Sequence, residues 1–290
     1  MSRCCERSVR GSPAWWQALI ASACGALFIA LGVLWAASSA MVGTIDDLYQ
    51  ARTIVTGRGE ENRLRGFPLC LEDVLIKVSG DPRLIDDPRV GLLQAQAPTF
   101  VVSFDYHDRM AGLATHDEQG TRDRPYDLIV HFDRDKIDAA LRSLRVTPWT
   151  TARPLVLVVF GMKQATATYV LTRDGDRIGP NESLAAAGEK RGIPILLPST
   201  RELAIHHLAW EDLTGDTAGF DAIARALGAD VALAGQLIWK EQELGWAASW
   251  SLVAAGGVHR WQIRGVTFDA AFRNALGGAA QILSGHGDPN

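Results

Sequence analysis

The sequence predicts an α/β (α+β) protein: two small mixed-sheet subdomains with packed helices, preceded by one apolar leader helix. Three observations predict it. Residues 11–45 contain no Asp, Glu, Lys or Arg. Behind them, stretches that alternate with period two, as strands do, are interleaved with stretches whose apolar residues recur at i, i+3, i+4 and i+7, as on one helix face. Residues 155–160 read Leu-Val-Leu-Val-Val-Phe, the unbroken apolar run of a strand covered on both faces. A chain of 290 residues is long enough for one or two domains.

The first subdomain is expected over residues 45–150. Residues 48–56 alternate as a strand ended by Gly57-Arg58-Gly59. Leu71, Val74, Leu75 and Val78 then form one helical stripe closed by Gly80. Pro68 must sit in the first turn of that helix or within a longer helix beginning near Glu60, because proline cannot donate to the helical ladder. Asp81-Pro82 opens a second short helical stretch, and residues 99–106 and 126–132 read as a hairpin with a long polar loop. Asp133 is placed to cap a helix bearing Ile137, Ala140, Leu141 and Leu144 on one face.

The second subdomain is expected over 151–285, after the Pro148–Pro154 boundary. The run 155–160, helix signals over 181–191 and the apolar run 193–197 imply a parallel strand pair joined by a helical crossover. Phe220, Ile223, Ala224 and Leu227 form the next helical stripe, closed by Gly228, and residues 231–239 the next strand. Residues 246–253 and 259–263 read as antiparallel strands around Gly256-Gly257, and a final helix starts at Thr267.

The apolar run at residues 18–37 is the length that spans a bilayer as a helix, each residue rising about 1.5 Å. Arg3, Arg7 and Arg10 precede it, which favours a cytoplasmic N-terminus and translocation of the chain behind the run. Ser38-Ser39-Ala40 supplies the small residues read by a signal peptidase, so residues 1–40 are expected to be a signal peptide cleaved after Ala40 or a retained signal anchor. Either puts the remainder in a bacterial periplasm, free or tethered to the inner membrane. Without residues 1–40 the chain carries 26 basic and 32 acidic residues, and the whole chain is at −4; such a balance argues against binding nucleic acid by bulk electrostatics. Of four cysteines only Cys70 lies beyond the leader, and a lone thiol forms no internal disulfide; a small buried hydrophobe is its expected role.

Few residues invite chemistry. No Gly-x-x-x-x-Gly-Lys-Ser/Thr loop, Gly-x-Ser-x-Gly elbow or His-Glu-x-x-His occurs, and Gly57-x-Gly59 lacks the third glycine of a dinucleotide fold; no cofactor is expected. His206-His207 with Glu211-Asp212 is the best metal candidate, since His207 and Glu211, four apart, would share a helical face, although a site needs three converging ligands. His116-Asp117-Glu118 reads as a solvated loop and Asp174-Gly175-Asp176 as a turn without the later ligands of a calcium loop. Trp246 and Trp250 face one side of a strand, and with Trp239 and Trp261 they could form an aromatic surface for a glycan or protein, or pack beneath the final helix.

Residues 71–80, 126–133, 148–158, 192–198 and 228–235 occur in fixed order. Together they resemble the domain of unknown function 2066 family of the bacterial envelope, over about residues 45–283. The segment Ala229-Asp-Val-Ala-Leu-Ala-Gly235, followed by a Trp-bearing hairpin, is similar to small α/β envelope assembly modules such as the amino-terminal domain of the Tol-system propeller protein. The resemblance implies no catalytic residue. The expected function is a non-enzymatic binding or assembly module of the envelope, its partner an envelope protein or glycan. The alternatives are a metal-dependent envelope enzyme centred on His206, His207, Glu211 and Asp212, and a membrane-tethered structural subunit.

Overall fold

The computed structural model describes residues 48–112, 124–214, 219–254 and 257–289. The expected leader, with its helix over 18–37 and cleavage after Ala40, lies outside them, as do His116-Asp117-Glu118 and the turn at Gly256. No helix among the described residues is long and apolar enough to cross a membrane.

The chain is α/β, with seven α-helices among the described residues and two sheets. The first sheet comprises β1 (Gln50–Thr56), β2 (Val101–Asp108) and β3 (Pro125–Phe132) in the order β1-β3-β2. It is antiparallel throughout rather than mixed, because β3 inserts between β1 and β2 and runs against both.

Helix α1 (Glu60–Ser79) covers one face of this sheet, with Pro68 inside the helix, as in the longer of the two expected forms. Glu60 and Glu61 lie in its first turn and Lys77 in its last, matching the helix dipole at both ends. Gly80 closes it at φ 76°, returning its N–H to the Ile76 carbonyl. A Cβ on Gly66 would stand 2.6 Å from Leu128 Cδ2, so the bare glycine lets helix and sheet approach. A 3₁₀ turn (Pro82–Asp86) and helix α2 (Pro88–Gln94) lead to β2. Helix α3 (Arg134–Ser143), capped by Asp133 accepting from the Lys136 N–H, completes a core of Leu71, Val74, Leu75, Leu128, Ile137 and Leu141.

The second sheet is mixed. Strands β4 (Val156–Gln164) and β7 (Val231–Lys240) are parallel neighbours, followed by β8 (Gly245–Ala254) and β9 (Gly257–Val266), each antiparallel to the one before. On its other side β4 pairs first with β6 (Ile195–Leu196), in parallel, and then with β5 (Ala167–Val170), antiparallel. Helices α4 (Ile178–Arg191) and α7 (Phe268–Leu283) pack on one face. The other face of β4 and β7 is closed by a 3₁₀ turn (Trp210–Thr214) and helix α6 (Phe220–Ala226), while α5 (Thr200–Ile205) leads into that layer. Both faces of β4 are therefore apolar, as its unbroken run requires.

Candidate functional site

The four C-terminal tryptophans do not form a ligand surface. Trp246, Trp250 and Trp261 are 7%, 2% and 5% exposed, and Trp239 is half-buried with its ring 5.6 Å from that of Trp246. They are buried because small residues receive them. A Cβ on Gly235, the cross-strand partner of Trp250, would lie 2.2 Å from the Trp250 ring, and one on Gly278 of α7 would lie 2.6 Å from Trp261. Trp250 Nε1 donates to Asn274 Oδ1 at 3.0 Å, which satisfies its polar atom beneath the final helix.

The expected metal pair also separates. Helix α5 ends at Ile205 with His206 as its cap, and His207 is left-handed at φ 53°, so no common helix places His207 and Glu211 on one face. Asp212 is occupied at the 3₁₀ turn, where it accepts from the Ala209 N–H at 2.8 Å. Among the described residues no three His, Cys, Asp or Glu side chains are grouped to hold a metal ion. Asp174 accepts from Thr200 N–H and Oγ1 and ties its turn to the start of α5. Cys70 is fully buried, and burial, with Asp73 adding to it, pushes its thiol up to about 12, so it is not a nucleophile at neutral pH.

A polar seam joins the two sheets' layers. Arg153 stacks 4.1 Å above the Trp149 ring, donates to the Lys77 carbonyl at the end of α1 (2.6 Å) and donates to the Arg191 carbonyl at the end of α4 (3.0 Å). One guanidinium thus meets the negative ends of two helices. Burial lowers its pKa to about 10, which leaves it charged at neutral pH. Beside it Lys190 pairs with Asp73 at 2.9 Å, and Arg52 of β1 pairs with Glu189 at 2.7 Å. Glu72 accepts from Gln94 Nε2 at 2.9 Å, and its carboxyl is raised by burial and then by Asp73. These groups face one another along the seam.

The exposed feature is the free edge of β2. Arg109 N–H donates to the Pro125 carbonyl, so by antiparallel alternation Ser103, Asp105 and His107 direct their backbone groups at β3. Phe104 and Tyr106 then direct theirs outward, where no described residue meets them. Along this edge Val102 is 68% and Phe104 38% exposed. Rings of Phe67, Phe104, Tyr106 and Tyr126 run in succession at 5.7, 5.9 and 6.1 Å, and the Arg63 guanidinium lies 4.7 Å above Phe104. A groove of about 320 Å³, lined by Leu93, Thr99, Phe100, Lys136, Ala139 and Ala140, flanks the start of the strand.

The other sheet edges are guarded in part. On β1 the outward carbonyls of Gln50 and Thr56 accept from Lys77 Nζ and Asn62 Nδ2, while the outward-facing Arg52 and Ile54 lie between them with Ile54 exposed. Strand β5 is four residues long, and β9 has Arg260, Gln262 and Arg264 exposed along it and a bulge against β8. These are recognised ways of preventing unwanted pairing. On β2 a bulge between Val101 and Ser103 serves that end, and no described residue pairs with the regular part of the strand beyond it. Sequence reading missed this edge, because the position of β2 outside β3 is a property of topology.

Residues 43–150, which include β1 to α3, match the family described as "Domain of unknown function (DUF8605)". No curated protein and no solved structure matches the chain.

Proposed function

We propose that the chain is an exported, non-enzymatic binding or assembly module of a bacterial cell envelope, and that it engages its partner by strand addition at the β2 edge. The carrying observation is that edge: outward backbone groups at Phe104 and Tyr106 that no described residue meets, beside exposed apolar side chains. Edge pairing supplies affinity through main-chain hydrogen bonds and specificity through alternate side chains. Export is supported by the charge-free stretch behind Arg3, Arg7 and Arg10. The sequence resemblance to the domain of unknown function 2066 family and to the Tol-system module, which the family match over residues 43–150 does not include, is in keeping with the same setting. An extended protein segment fits this edge, because outward main-chain groups at Phe104 and Tyr106 pair with another strand and not with a sugar ring.

Two measurements test this. A reporter active only outside the cytoplasm, fused behind Asn290, is expected to be active, and N-terminal sequencing then separates cleavage after Ala40 from a retained anchor at Met1. A benzophenone amino acid at position 104, irradiated in cells, is expected to capture an envelope protein that the same group at Ile54, on the β1 edge, does not. A cytoplasmic reporter or equal capture from both positions would overturn the proposal.

A further inference from the structure

We infer that the C-terminal tail is a proton-dependent strap: residues 284–288 fold back on β9 and are held there by a protonated His259. Helix α7 ends at Leu283, where the N–H groups of Gly285 and His286 donate to the carbonyls of Ile282 (3.0 Å) and Gln281 (2.9 Å). Gly285 and Gly287 both stand at φ 83°, a left-handed backbone that glycine adopts at little cost, and they turn the chain back toward β9. Asp288 then reaches His259. Its Oδ1 lies against His259 Nδ1, and its carbonyl accepts from Gln281 Nε2 at 3.0 Å. The other ring nitrogen, Nε2, is 3.2 Å from the Ala254 carbonyl of β8. A carboxylate and a backbone carbonyl are acceptors only, and a neutral imidazole has a single N–H to offer the two of them. In either neutral tautomer one ring lone pair faces an oxygen lone pair. Only the imidazolium donates at both nitrogens, so the closed strap holds a proton that the released tail does not need. By linkage the strap closes as pH falls and opens as pH rises. Arg260, the neighbour of His259 on β9, is exposed on the opposite face of the strand. The strap carries one further titratable group, His286, which faces Asp81 and Arg83 and whose Nδ1 is 2.8 Å from Ser284 Oγ. Burial holds His286 below the ordinary histidine value, and a hydroxyl both donates and accepts, so a neutral ring satisfies this contact. The closed strap supplies the acceptor for Gln281, which is 4% exposed, and covers β9 at His259; raising the pH uncovers both.

The test follows the tail by NMR in the nitrogen-labelled full chain in detergent, at about pH 5 and about pH 8, the ends of the range over which histidine changes charge. The expected heteronuclear NOE at Gly287 and Asp288 matches that of α7 at the lower pH and drops by roughly half or more at the higher, as a rigid segment becomes mobile. Asp288→Ala removes an exposed tail side chain and is expected to leave the tail mobile at both pH values. His259→Gln is expected to abolish the pH response. A wild-type tail equally ordered, or equally mobile, at both pH values overturns the inference. A pH response that persists in His259→Gln overturns it as well, because it then belongs to His286.

Discussion

Trp250 and Trp261 are held by the absence of side chains opposite them. The Trp250 ring occupies the space a Cβ would take on Gly235, and Trp261 occupies the space above Gly278. Gly278→Ala is therefore expected to destabilise the protein by about 1–3 kcal/mol through overpacking, and Trp250→Ala by about 3–5 kcal/mol through the cavity it leaves. Chemical denaturation of each variant checks both, and a neutral Gly278→Ala would contradict the packing described. Arg153 acts by its hydrogen bonds. Arg153→Met keeps much of the contact with Trp149 while leaving the carbonyls of Lys77 and Arg191 without this donor, and a loss of about 2–3 kcal/mol is expected in the same assay.

Among the elements, α5 shows how a short helix is fixed by its ends. Ser199 accepts from the Glu202 N–H, and Glu202 accepts from the Ser199 N–H at 2.7 Å while Arg173 pairs with it, also at 2.7 Å. The Arg173 guanidinium, with the Ser199 bonds, holds the Glu202 carboxyl down at about 2. An acid whose pKa is lower folded than unfolded adds stability above its unfolded value, and that stability is lost as pH falls through the folded one. Wild type is thus expected to lose stability between about pH 4.5 and 2, with a smaller loss over that window for Glu202→Gln. Identical acid limbs in thermal scans of the two proteins would contradict the capping described. The capping signal Ser199-x-x-Glu202 is visible in the sequence, but the end of α5 is not: the left-handed backbone at His207 breaks the periodicity that a four-residue spacing to Glu211 assumes. Strand β5 was equally hidden, because four mostly exposed residues paired to the end of β4 carry too little apolar alternation to register.

For the whole molecule, the long elements were legible because each buries one stripe or one face, and burial writes its period into the residues. Helix α1, the strands β3, β4, β7 and β8, and the Thr267 cap of α7 all arise from such patterns. The alternation of Trp246 and Trp250 correctly placed both on one side of β8, yet period two cannot say which side another layer covers. The same limit hid the outer edge of β2, since β2 and β3 read alike until the order β1-β3-β2 leaves one of them outside. Whether this edge is open in the lone chain and closed on binding is read most directly by amide hydrogen exchange at Phe104 and Tyr106. Rapid exchange at Phe104 and Tyr106 in the lone protein, while the amides of Ser103 and Asp105 stay protected, is the predicted result. Slow exchange at Phe104 and Tyr106, matching that of Ser103 and Asp105, would contradict it.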